Sequence, residues 1–137
     1  MLTLGTIVLG AEDVHRAAAF WSAALGYVPR DADAVNAVNA VDADWTVLVP
    51  AEGGKGPGIA LGRSATPVQE HPRVHLDLYA DDAADQAAQV ERLIALGAGR
   101  VEWDLYPPDP DFVVLADTEG NRFCVIDTSF APSSGAS

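Results

Sequence analysis

The sequence predicts an α+β chain made of two tandem β-α-β-β-β modules. Three observations carry this expectation. A strand-like run followed by an amphipathic helical pattern occurs twice. Both helical patterns stop on a glycine, in Ala24-Leu25-Gly26-Tyr27 and Ala95-Leu96-Gly97-Ala98, which are separated by about half of the 137 residues. Each helix is followed by three short strand patterns parted by turn residues.

The first strand is read over Leu2 to Leu9, an aliphatic and β-branched run of strand length. Asp13 is the expected N-cap of the first helix, whose apolar residues Val14, Ala17, Ala18, Trp21 and Leu25 keep the i, i+3, i+4 spacing of one helical face. Gly26 ends it. Strands follow at Tyr27 to Arg30, Trp45 to Val49 and Ile59 to Gly62. Gly53-Gly54-Lys55-Gly56-Pro57-Gly58 is a turn and not a phosphate loop, because it opens no helix and contains a proline. Residues 31–44, an Asp/Ala/Val/Asn run of low complexity, are read as a strand interrupted by a loop, with a mobile flap as the alternative.

The second copy repeats this order. Arg73 to Tyr79 is the strand and Asp81-Asp82 the helix start. Ala83, Ala87, Val90 and Ile94 form the stripe, and Gly97 stops it. Strands are then expected at Arg100 to Trp103, Phe112 to Ala116 and Arg122 to Ile126. The prolines of Tyr106-Pro107-Pro108-Asp109-Pro110-Asp111 exclude a strand there, and Asp117-Thr118-Glu119-Gly120-Asn121 should close a hairpin. The predicted organisation is one domain over residues 1–130, with modules at about 2–64 and 72–130 and a flexible tail over 131–137.

Composition narrows the function. Eight basic against twenty acidic residues give a net charge of −12, which repels nucleic acid and anionic lipid; it either attracts a cationic ligand or simply solvates the surface. No apolar run approaches the roughly 20 residues of a membrane span, and no basic stretch precedes a hydrophobic one at the start, so a cytoplasmic location is expected. Cys124 is the sole cysteine, which excludes an internal disulfide and a multi-cysteine zinc site.

Several segments together resemble a known family. They are Ala19-Phe20-Trp21-Ser22-Ala23-Ala24-Leu25-Gly26-Tyr27, Val74-His75-Leu76-Asp77-Leu78, Leu96-Gly97-Ala98, and the run from Val113 to Val125 through Asp117-Thr118-Glu119-Gly120-Asn121. Over about residues 2 to 128 the chain is similar to the glyoxalase-like branch of the glyoxalase/bleomycin-resistance/dioxygenase (vicinal oxygen chelate) superfamily. The resemblance implies curved mixed sheets around a cleft with helices outside, and a homodimer. It also implies, in metal-dependent members, one His or Glu ligand on the first and last strand of each module.

Carried onto this sequence, those four positions fall near Thr6 and Gly62 and at His75 and Cys124. One imidazole among them is too poor a set for a hard divalent cation, and His with a thiolate only begins a zinc site. No metal and no cofactor are therefore expected. Strand alternation sets Val74, Leu76 and Leu78 towards the helix and His75, Asp77 and Tyr79 on the opposite face. His75 is the candidate acid, base or binding residue, against a structural role beside Asp77.

The expected ligand-binding set is Thr6, His75, Asp77, Trp103, Tyr106, Arg122 and Cys124. Trp103 and Tyr106, like Trp45, offer stacking surfaces for a planar ligand, Glu102 and Asp104 flank Trp103 and would make that wall acidic, and Arg122 shares a strand face with Cys124. Cys124 reads as a small buried apolar residue or, alternatively, a nucleophile. His15 and His71 are read as exposed and as ligands to nothing. The small residues Gly58, Ala60 and Gly62 would leave space on one face of their strand. Together these readings point to a small-molecule binder whose ligand is cationic or aromatic. The alternatives are a metal-dependent or His75-based lyase, isomerase or dioxygenase, and a non-catalytic interaction module.

Overall fold

The computed structural model describes residues 1–31 and 44–130. The readings made for residues 31–44 and for the tail fall almost wholly outside this range. The chain divides into two compact units, Met1–Pro67 and Val68–Ser137.

In the first unit, β1 (Thr6–Ala11) leads into α1 (Val14–Leu25), then β2 (Tyr27–Pro29), β3 (Trp45–Pro50) and β4 (Gly58–Arg63). In the second, β5 (Leu76–Ala80) and α2 (Ala83–Ala95) precede β6 (Gly99–Arg100), β7 (Phe112–Ala116) and β8 (Arg122–Asp127). The sheets run β1-β4-β3-β2 and β5-β8-β7-β6, and in each the first strand pairs parallel with the last while the other pairs are antiparallel. This is the repeated mixed α+β module expected from the sequence.

The helix ends follow their capping chemistry. Asp13 accepts from the Arg16 amide at 3.0 Å, and Gly26, at φ 70°, donates its amide to the Ser22 carbonyl. Asp82 accepts from the Asp85 amide at 2.8 Å, while the Asp85 carboxylate accepts from the Asp81 amide at 2.9 Å. That bond, followed by one from Gln89, holds the Asp85 carboxyl below the usual carboxylate range.

The two helices dock differently. α1 buries Val14, Ala17, Ala18, Phe20, Trp21 and Ala24 against β2, β3 and β4, where Leu48 and Leu61 are fully buried. α2 buries only Val90 and Leu93, and the stripe read through Ala83 and Ala87 is wrong, since both are exposed. Its inward face passes instead through Gln86, whose amide donates to the carbonyls of Asp111 and Val125 at 3.1 and 3.0 Å. Apolar periodicity discards a glutamine, and so set the face one position off.

Three strand readings also need correction. β1 begins at Thr6 and not Leu2, and β5 begins at Leu76, which leaves Val74 outside the strand and 78% exposed. A β-branched residue beside His75 carried the alternation too far back. The strand read over Arg100 to Trp103 shrinks to Gly99–Arg100, with Trp103 in the loop that follows. Leu76 and Leu78 are half-buried while Asp77 and Tyr79 are exposed, so the alternation itself holds within β5.

Candidate functional site

The equal pairing of the two sheets makes their side chains comparable position by position. Ala11 and Ala80 end β1 and β5, and their carbonyls accept from the equivalent amides of Ser64 and Thr128. Counted back from these alanines, Thr6 matches His75 and Val8 matches Asp77. Val8 pairs with Ala60 and Asp77 with Cys124, so Cys124 corresponds to Ala60. The match made from sequence to Gly62 is two residues off, because the loops and helices of the two units differ in length; Gly62 corresponds to Ile126.

In the second unit these positions assemble a polar cluster. His75 Nε2 lies 3.1 Å from Asp77 Oδ1, both half-exposed, and the Cys124 thiol is hydrogen-bonded to the Asp77 carboxylate. Burial first, and then the charge and hydrogen bond of Asp77, push the thiol up to about 12. It is therefore protonated at neutral pH, which fits the small buried residue and disfavours the nucleophile. One imidazole nitrogen, one carboxylate oxygen and the sulfur lie within 4.8 Å of one another.

In the first unit the same face carries little chemistry. Thr6, Val8 and Ala60 supply a single hydroxyl. The room expected above Gly62 is taken by Trp45, since a Cβ there would meet ring carbons at 3.2 Å. The four-position chelate typical of metal-dependent relatives therefore does not fit these residues. The second unit alone offers three mixed donors, a set suited to a zinc-like ion and poor for a hard cation.

The other candidates divide. Arg122 begins β8 two residues before Cys124, on the same face. With Trp103 it lines a cavity of about 400 Å³, whose remaining walls are Glu70, His71, Val101, Glu102 and Asp104. The Tyr106 hydroxyl accepts from the Val114 amide at 2.8 Å, and its ring lies 5.2 Å from Phe112, so both its ends are engaged within the unit. Thr6 belongs to the first unit, beside Gly58 in the β1–β4 pair.

The acidic wall expected from Glu102 and Asp104 beside Trp103 is present, whereas sequence reasoning missed Glu70 and His71 as walls. His71 is exposed, as expected, yet its Nε2 lies 2.7 Å from Asp104 Oδ1 and its ring 5.0 Å from that of Trp103. The hydrogen bond from His71 lowers the Asp104 pKa. Only contact across 33 positions could show this pairing.

The glyoxalase-like domain model matches residues 6–126, which include both modules and every position of the cluster. The chain belongs to the glyoxalase-like domain family. Solved structures agree on the fold. A glyoxalase-related enzyme from Fulvimarina pelagi is 16% identical, with a TM-score of 0.65 over 100% of this chain and 96% of its own. A glyoxalase/bleomycin resistance protein/dioxygenase family enzyme from Burkholderia phytofirmans is 14% identical, with a TM-score of 0.66 over 90% and 97%. The fosfomycin resistance protein FosX from Listeria monocytogenes is 16% identical, with a TM-score of 0.61 over 92% and 91%. No curated protein matches the chain. Among the described residues, no helix is long and apolar enough to cross a membrane.

Proposed function

We propose that this glyoxalase-like chain binds a small molecule on the helix-free face of its second sheet, without the two-module metal site of its catalytic relatives. One observation carries the reading. Of two faces with the same backbone register, one is apolar and small while the other holds His75, Asp77, Arg122 and Cys124. Polar groups gathered beside a cavity orient a ligand. The absent donors in the first unit argue against chelation of two substrate oxygens, and the protonated thiol argues against covalent catalysis. The bleomycin-resistance type of binder, a cytoplasmic homodimer, is the member of this family that such a site resembles.

The test is a thermal-shift screen of small cationic and aromatic compounds on chelator-treated protein, repeated on His75→Ala. Stabilisation that is lost in the variant supports the reading. A screen in which no compound raises the melting temperature overturns it. Light scattering at micromolar concentration should give a dimer, and a monomer there would remove that part of the proposal.

The three donors within 4.8 Å support a second reading, a zinc-dependent lyase, isomerase or dioxygenase held on His75, Asp77 and Cys124. Elemental analysis after gel filtration separates the two. One zinc per chain, lost in Cys124→Ala, would reverse their order.

A further inference from the structure

The cavity beside Trp103 has a charge arrangement that specifies its ligand more narrowly. His71 and Asp104 are paired at 2.7 Å and largely satisfy each other. What remains on the walls is one permanent cation, Arg122, and two carboxylates, Glu70 and Glu102, that hold no ion pair among the described residues.

Arg122 is held in place but unsatisfied. Its Nη1 donates to the Gly120 carbonyl at 2.8 Å, whereas its Nε is buried with no hydrogen-bond partner among the described residues. A charged N–H buried without an acceptor leaves the guanidinium under-compensated by the protein, and the part of Arg122 that lines the cavity can make a charge-assisted hydrogen bond to a carboxylate or phosphonate. A purely anionic ligand would meet Glu70 and Glu102. A purely cationic one would meet Arg122.

We infer that this cavity takes a small zwitterion, with its anionic group on Arg122, its ammonium on Glu70 and Glu102, and its apolar or planar part against Trp103. The inference rests on the small-molecule reading above and adds the ligand class. The volume suits it, since about 400 Å³ corresponds to about a dozen waters at roughly 30 Å³ each, room for a molecule of amino-acid size.

Three probes sharing one phenyl ring test the charge requirement: phenylalanine with both charges, phenethylamine with the cation alone, and hydrocinnamate with the anion alone. The readout is the indole N–H resonance of Trp103, identified by its loss in Trp103→Phe. Phenylalanine at millimolar concentration should shift it saturably, and the single-charge probes should bind about tenfold or more weakly, as the loss of a charge-assisted hydrogen bond implies. Arg122→Gln should weaken phenylalanine by a similar factor, as should Glu102→Gln, an exposed change that leaves the fold intact should Arg122→Gln not fold. Phenethylamine binding as tightly as phenylalanine would overturn the inference, as would no saturable shift with any probe. A screening hit that depends on His75, found while phenylalanine fails, would sink the zwitterion and leave the binder standing.

Discussion

The two units share a backbone frame and differ in what they hang on it. In the first, the helix-free face carries Thr6, Val8, Ala60 and Gly62, roofed by Trp45; in the second, the matching positions carry His75, Asp77, Cys124 and Ile126. The parallel first-to-last pairing and the terminal amide bonds of Ser64 and Thr128 are kept. Hydrogen bonds between strands involve main chain only, so the frame tolerates any side chain that suits its face. Chemistry concentrated in one copy is the result.

The helices extend the contrast, and it can be broken by mutation. Trp21, 1% exposed, anchors α1, and Trp21→Ala should destabilise the chain by about 3–5 kcal/mol in denaturant titration. Gln86→Ala strips two carbonyls of a donor beneath α2 and should cost about 1–3 kcal/mol. Equal losses would mean that the helices dock by the same means after all.

The helix-ending glycines give a finer comparison. Gly26 at φ 70° has open space around a built Cβ, so Gly26→Ala meets only the left-handed backbone penalty, about 1–2 kcal/mol. Gly97 at φ 122° would also bring its Cβ to 2.9 Å from Thr118 Cγ2. Gly97→Ala should therefore be the more damaging of the pair, and a smaller drop in melting temperature than for Gly26→Ala would contradict the geometry.

The smallest expected effect separates Cys124 from Ala60. A thiol pushed from 9.0 to about 12 stays protonated in the folded chain while the unfolded one ionises, so its contribution is full below pH 9 and is lost as pH rises through 12. Against Cys124→Ala, the native chain should lose stability more steeply over that window. Asp77→Asn removes the charge and bond that help hold the proton, and should speed alkylation of the folded thiol by iodoacetamide; an unchanged rate would leave burial and the charge of Asp111 as the causes.

Much of this was readable from residue order. Asp13, Gly26 and Gly97 mark helix ends by local rules, and the strand Phe112–Ala116 has the bounds its apolar run suggests. The inward face of α2 was hidden because Gln86 docks by hydrogen bonds that no hydrophobic period registers. The cluster was half visible. His75 and Cys124 could be placed by repeat, but joining them through Asp77 required the β5–β8 register, and the match of Cys124 to Ala60 required the β4 register. The cavity wall was legible only on the side of Trp103, where Glu102 and Asp104 are its sequence neighbours; Glu70 and His71 reach it from a separate loop.

The Tyr106 hydroxyl has a consequence for how the protein behaves in concentrated solution. β6 pairs with β7 only at Ala116 and Leu115, so Val114, paired with Cys124 of β8 on one side, has no strand partner on the other, where its amide points to Tyr106. An open amide on an apolar strand such as Phe-Val-Val-Leu-Ala is a starting point for capture by the same segment of another molecule, the first step toward cross-β aggregates. Tyr106 accepts that hydrogen, and Pro107, Pro108 and Pro110 between it and β7 have no N–H with which to extend a ladder. The loop thus guards a segment that would otherwise be sticky, and its composition answers to solubility as much as to any ligand.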